Sequence, residues 1–310
     1  MTKASLPALA RTPAAPGPGP LSEPLLRALD LTVRRRVEGM LAGDHRSSLL
    51  GAGSELAQVR PYVAGDDVRR IEWNVTARTG EPHVRIDLAE RVLVTWIALD
   101  VSASMAFGTA DRRKADVAEG VALALGHVAS RRGNRLGLAA FGDGAPRIFP
   151  PRQGRAGMLG LLLELRRAAS GEGGGATSLG AALGLVARLA RQRSLVVVVS
   201  DFRGPADWRS PLLRLAGGHD VLAVEIRDPR EQELPNVGEL RLVDPETGRQ
   251  LRVDTANRRL RERFAAAAAA EREDVARELR RLAVGHVVLS TAGDWLRPLA
   301  TYLRLRGAAR

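Results

Sequence analysis

Two short runs of almost uninterrupted apolar residues constrain this chain more than any other feature: Val92-Leu93-Val94-Thr95-Trp96-Ile97-Ala98-Leu99 and Leu195-Val196-Val197-Val198-Val199. Each gives way abruptly to an aspartate, Asp100 directly and Asp201 after Ser200. A strand with one wet face alternates polar and apolar residues. A valine-rich strand that is apolar at every position is buried on both faces, as an inner strand of a parallel sheet covered by helices. Neither run approaches the ~20 residues that a helix needs to cross a bilayer.

The segments around these runs alternate in type. Helical spacing is read over Lys114 to Arg131, Met158 to Ala169, Leu179 to Arg191, Trp208 to Ala216, Asn257 to Leu282 and Trp295 to Leu305. Strands are read over Arg135 to Phe141, Arg147 to Phe149, Val221 to Ile226 and Val284 to Leu289. Strands alternating with helices imply an α/β fold, a doubly wound and mostly parallel sheet with right-handed crossovers. Residues 238–254 read as a β-hairpin inserted in that fold, because Leu240, Leu242, Leu251 and Val253 alternate with polar residues around Asp244-Pro245-Glu246-Thr247-Gly248.

Upstream the pattern differs. Residues 1–22 are rich in proline, alanine and glycine and are expected to form a disordered tail. Residues 23–90 form an N-terminal region, with a helix expected from Glu23 to about Ala42 and short strands such as Val84-Arg85-Ile86. The main domain is then expected over 91–310.

Composition narrows the function classes. The chain has no cysteine, which excludes disulfides and thiolate metal sites. Its net charge is +12, but Lys3 and Lys114 are its two lysines and the arginines are scattered. Charge of that kind follows from composition and is not by itself a nucleic-acid footprint. No apolar signal-peptide core is visible at the N-terminus, so a cytoplasmic location is the expectation.

The first buried run delivers Asp100-Val101-Ser102-Ala103-Ser104, and the second delivers Asp201. Between them a glycine-rich loop, Gly173-Gly174-Gly175-Ala176-Thr177-Ser178, opens a helix. In doubly wound folds ligands bind beyond the carboxyl ends of the strands, so these three loops can converge on one crevice. Carboxylates and hydroxyls without imidazole or thiolate are hard oxygen donors, suited to Mg2+, Mn2+ or Ca2+. The spacing does not decide whether Thr177 or Ser178 would face the ion.

This order resembles the metal-ion-dependent adhesion site of von Willebrand factor A domains: D-x-S-x-S, then threonine in a glycine-rich loop, then aspartate after a buried strand. The resemblance implies a von Willebrand A, Rossmann-like fold. It also implies a metal held directly by Ser102, Ser104 and Thr177, with Asp100 and Asp201 acting mostly through water. Such a site binds an acidic residue of a partner protein and is not catalytic.

A second motif, Arg60-Pro61-Tyr62-Val63-Ala64-Gly65-Asp66-Asp67-Val68-Arg69-Arg70-Ile71-Glu72-Trp73, followed by Arg78, is similar to the signature of the bacterial domain-of-unknown-function 58 proteins. Those proteins place it before a D-x-S-x-S-M segment, which Met105 completes here. Ala64 departs from the family's usual proline. The Gly65-Asp66-Asp67 segment reads as a tight turn, its aspartates pairing with Arg60, Arg69 or Arg78, and Tyr62 and Trp73 read as core anchors. The alternative is a partner-facing surface. Membership implies a partnership with MoxR-type AAA+ ATPases in chaperone-like assembly or maturation of client proteins. The rival readings are a metal-dependent hydrolase and a nucleic-acid binder. The five histidines (His45, His83, His127, His219, His286) lie outside the three loops, and no Walker A loop or G-x-S-x-G elbow is present.

Overall fold

The computed structural model describes residues 13–21, 50–51, 55–88, 94–130, 134–142, 144–154, 178–243 and 249–308, with isolated positions between 157 and 167. The helices expected over 23–42 and 158–169 lie outside the described residues or touch them only at those isolated positions, and Thr177 lies outside them. The chain divides into two compact units, Arg36–Val92 and the remainder.

The smaller unit holds strands β1 (Leu50–Gly51), β2 (Glu55–Pro61) and β3 (His83–Leu88), with β3 central and antiparallel to both neighbours. Helix α1 (Trp73–Thr79) connects β2 to β3.

The larger unit contains β4 (Val94–Asp100), α2 (Lys114–Ser130), β5 (Arg135–Phe141), β6 (Arg147–Gln153), α3 (Leu179–Leu189), β7 (Leu195–Ser200), α4 (Arg209–Gly218) and β8 (Asp220–Arg227). It continues with β9 (Glu239–Val243), β10 (Gln250–Asp254), α5 (Arg258–Arg281), β11 (Gly285–Ser290) and α6 (Leu296–Ala308). Six strands form one sheet in the order β11-β8-β7-β4-β5-β6; β6 is antiparallel to β5, and every other pairing is parallel. β9 and β10 form the separate hairpin.

Every residue of β4 and of β7 is buried, which is why both read as unbroken apolar runs. Successive side chains serve opposite faces. Trp96 and Ala98 join Val196, Val198, Leu183, Val186, Leu212 and Leu215 in a core under α3 and α4. On the other face α2 contributes the buried residues Val117, Val121 and Leu125, and α6 contributes Leu296, Leu299 and Leu303.

Strand order decides where a ligand can enter. From β4 the chain moves to β5 and β6 on one side, then crosses to β7, β8 and β11 on the other. The order therefore reverses at β4, and the loops leaving β4 and β7 separate to open a crevice at their carboxyl ends.

One expectation is corrected. Residues 13–21, read as part of a disordered tail, run as a strap over the larger unit. Pro13 is buried, Ala15 N donates to Asp111 O (2.8 Å), and Trp295 Nε1 donates to Pro18 O (2.9 Å). Pro13, Pro16, Pro18 and Pro20 have φ already locked by their rings, which lowers the backbone entropy lost when these anchoring bonds fix the strap. Among the described residues no helix is long and apolar enough to cross a membrane.

Candidate functional site

Asp100 ends β4 with its carboxylate buried. Ser102 N donates to Asp100 Oδ1 (3.0 Å), which bends the chain out of the sheet, and a 3-10 turn follows over Ala103–Ala106. Met105, fully buried, anchors that turn. The two serine hydroxyls consequently meet, Ser102 Oγ to Ser104 Oγ at 3.1 Å, and Ser104 Oγ donates to Asp201 Oδ2 at 2.9 Å. Four of the five sequence-derived residues thus converge at the crevice, across 97 positions of sequence.

Gly142, just past β5, makes that turn possible. A Cβ there would lie 2.8 Å from both Ser102 N and Val101 C. Gly142→Ala is expected to lower stability by about 1–3 kcal/mol by pushing the serine turn outward. The check is the urea midpoint, and an unchanged midpoint would mean that the turn can retreat freely.

The loop after β7 is equally constrained. Phe202 has φ 55, a left-handed conformation uncommon for a bulky residue. It is retained by Phe202 N donating to Ser200 Oγ (2.9 Å), Arg203 N donating to Asp201 Oδ1 (2.9 Å), and the Phe202 ring meeting Trp208 edge-on at 5.5 Å. This strained turn aims Asp201 back at the serines.

Ser178 is occupied elsewhere. Its hydroxyl caps α3 by accepting from Ala181 N (3.0 Å) and donates to Asp207 Oδ2 (2.6 Å). Of the two adjacent hydroxyls, Ser178 therefore serves the helix.

Three further groups belong to the site and were not identified from sequence. Ser200 Oγ donates to Asp100 Oδ2 (2.6 Å). Lys114 Nζ donates to Asp201 Oδ2 (2.6 Å) and to Glu231 Oε1 (2.7 Å). The signal for Lys114 was present: a chain that uses arginine for nearly all its positive charge places one of its two lysines here, buried as a compact ammonium between two carboxylates. Glu231 was legible as the fourth residue of Asp228-Pro229-Arg230-Glu231, a capping box in which Glu231 Oε2 accepts from Asp228 N (3.2 Å).

Burial, reinforced by the neighbouring Asp201 charge, pushes the Asp100 carboxyl up to about 7 against the hydrogen bonds from Ser102 and Ser200. Asp201, by contrast, has the Lys114 ammonium against it. Among the described residues no three histidine, cysteine or carboxylate side chains are grouped as a metal centre. The donor set here is two aspartates and serine hydroxyls.

Beside Asp201 a small open cleft lies beneath α5, its lining including Arg203, Glu225, Arg227, Glu231, Glu271 and Arg272. His286, at the start of β11, reaches Glu225 Oε2 through Nε2 (2.8 Å), so this histidine is engaged with Glu225 and not with the serine loops.

In the smaller unit, the acidic turn is salt-bridged. Arg60 clamps Asp66 with two 2.8 Å bonds, Asp66 also accepts from Val63 N, and Asp67 caps the Val68–Arg70 turn through Arg69 N. Gly65 takes φ 108, which its turn requires. The Asp66 carboxyl is held below its ordinary value chiefly by the Arg60 hydrogen bonds. Arg69 and Arg78 are exposed, the latter donating to Asn74 O. The expectation that Trp73 anchors a core is overturned. Trp73 is 70% exposed, with Val63 and Val68 also exposed, and Tyr62 is half-buried. The short helix α1 has no buried residue, so the apolar residues of this motif are spaced for a surface.

The chain is 41% identical over 316 residues, 99% of its length and 98% of theirs, to uncharacterized proteins of Mycobacterium bovis and Mycobacterium tuberculosis. It is also similar to solved structures of an aerotolerance-related membrane protein from Bacteroides fragilis (15% identity) and of the conserved hypothetical protein BatB from Bacteroides thetaiotaomicron (16% identity). Each likeness covers 70% of this chain and 100% of that one at a TM-score of 0.45. A family model spans residues 58–274, from the Arg60–Trp73 motif through the serine turn and Asp201 into α5, and the chain belongs to that family, described as protein of unknown function DUF58.

Proposed function

We propose that the carboxyl edge of the sheet is a divalent-metal-dependent protein-binding site of the von Willebrand A type, and that the protein is an adaptor, not an enzyme. The supporting observation is the meeting of Ser102, Ser104 and Asp201 at the point where strand order reverses. The two serine oxygens are 3.1 Å apart, close to the ~2.9 Å edge of an octahedron around Mg2+ with 2.0–2.1 Å bonds, and Asp201 Oδ2 stands behind them, accepting from Ser104 Oγ at 2.9 Å. Asp100, buried beside Asp201 without a cationic partner among the described residues, is the carboxylate that a cation would relieve.

In this reading Ser102 and Ser104, with Thr177 from the glycine-rich loop, hold Mg2+ (or Mn2+ or Ca2+), and Asp100 and Asp201 stand behind them. The ion would supply a Lewis-acidic position for an acidic side chain of a partner. Ser200 fixes the Asp100 carboxylate, and the strained Phe202 turn fixes Asp201, so the donors are pre-organised. The charged cleft beside Asp201 suits a polar partner surface. The partner proposed is a MoxR-type AAA+ ATPase together with its client protein.

The test is retention of such an ATPase on the immobilised full-length chain, with Mg2+ or with EDTA. Retention is expected to require the metal and to fall about tenfold or more in Ser104→Ala. Retention that ignores both chelator and substitution would overturn the reading, and the exposed Val63, Val68 and Trp73 surface would become the candidate grip.

A further inference from the structure

Lys114 is the first residue of α2, and its side chain is fully buried. Lysine is almost never fully buried unless paired. At the start of a helix its charge also faces the positive end of the helix dipole. Helix preference therefore does not place it there. The carboxylates do: Asp201 Oδ2 at 2.6 Å and Glu231 Oε1 at 2.7 Å, with the Phe107 ring centroid 5.9 Å away.

The oxygen that Lys114 takes on Asp201 is the one that accepts the Ser104 hydroxyl. The ammonium is thus two hydrogen-bond lengths from Ser104 Oγ. Glu231 additionally accepts from Arg203 (3.2 Å). Two of the three carboxylates around the crevice are therefore already compensated by cations of the chain, while Asp100, among the described residues, meets neutral donors of Ser102 and Ser200 and no cation.

We propose that Lys114 is a built-in cation of this site, competing with a divalent ion for the negative charge of Asp201 and holding the site's intrinsic metal affinity low. The proposal rests on the reading of the crevice as a metal site. A +1 charge this close to a +2 ion, in an interior that screens little, weakens binding on the order of tenfold or more. The site then gains most when a partner's carboxylate arrives with the ion, because that carboxylate supplies charge which Asp201 and Glu231 have already given to Lys114.

The experiment is Mn2+ titration of the full-length protein, with free Mn2+ followed by electron paramagnetic resonance. Lys114→Met keeps the length of the stem and removes the charge. Lys114→Met combined with Glu231→Gln guards against misfolding from an unpaired buried carboxylate, and circular dichroism checks both. Mn2+ is expected to bind at least tenfold more tightly to both variants than to the wild type, and the gain is expected to vanish when Ser104→Ala is added. Equal or weaker binding in folded Lys114→Met and in the double variant, with wild-type binding still lost in Ser104→Ala, would overturn the proposal and leave the metal site standing. Absence of Mn2+ binding in every variant, or binding indifferent to Ser104→Ala, would sink the metal reading and this proposal with it.

Discussion

Asp100→Asn is expected to stabilise the metal-free protein near pH 8 while abolishing its response to divalent ions. The carboxyl of Asp100 is pushed up to about 7 by burial and by Asp201. The folded state therefore holds a proton that the unfolded chain has released, across the window from the ordinary carboxylate range near 4 up to about 7. Stability contributed by this group is full below that window and is lost as pH rises through it, because the native state binds more protons. Asparagine stays neutral, accepts from Ser102 N as before, and can donate to a reoriented Ser200 hydroxyl. The expected gain in EDTA at about pH 8 is on the order of 1–3 kcal/mol, shrinking to nothing below about pH 4. Mg2+ is expected to raise the melting temperature of the wild type at the higher pH by mass action and to leave Asp100→Asn unmoved. Thermal melts at both pH values, with and without Mg2+, check all of this. A variant that melts lower than wild type in EDTA near pH 8 would show that the Asp100 charge is already compensated. A gain in stability purchased with loss of binding is what a site strained for function yields.

Much of this was legible in the chain because burial on both faces leaves a strong trace. Val94–Leu99 and Leu195–Val199 are apolar at nearly every position since no face of either strand meets water, and each run stops where the carboxyl edge becomes polar. The ends of β5 could be read to the residue, because Arg135 is exposed and the glycine after Phe141 is forced by the serine turn. Not every pairing across a long sequence separation was legible. That Lys114 belongs with Asp201 depends on α2 starting over the crevice, a tertiary fact with no local pattern. Trp73 was misread because aromatic and aliphatic residues at regular spacing look alike whether they pack inward or await a partner; only the exposure of Trp73, Val63 and Val68 separates the two. Nor was the cap legible by which Ala181 N and Asp207 claim the Ser178 hydroxyl, since Asp207 lies 29 positions away.

The largest loss of stability is expected at Asp228, a buried aspartate whose chemistry is the reverse of that of Asp100. Neither is ion-paired among the described residues, yet one carboxyl is raised and the other lowered. Burial pushes Asp228 upward too, but hydrogen bonds overcome it: Thr109 N (2.8 Å) and Oγ1 (2.6 Å), Thr291 Oγ1 (2.7 Å) and Arg230 N (2.9 Å) all donate to its carboxylate. Among the described residues no second carboxylate raises it as Asp201 raises Asp100. Its contribution is therefore present above the ordinary carboxylate range and is lost as pH falls through its depressed folded value. The bonds tie together the loops leaving β4, β8 and β11, and the β8 loop carries Glu231, which holds Lys114. Asp228→Ala strands two threonine hydroxyls and the backbone N–H groups of Thr109 and Arg230, for a cost of about 3–5 kcal/mol. Asp228→Asn keeps the shape and part of the bonding and is expected to cost about 1–2 kcal/mol. Urea midpoints near neutral pH measure both, and an Asp228→Ala midpoint within error of wild type would show that the three loops are held without this carboxylate. Four neutral donors converging on one buried acid make a structural anchor; fewer donors and a like charge alongside leave the Asp100 carboxyl raised, the condition on which the proposed cation site rests.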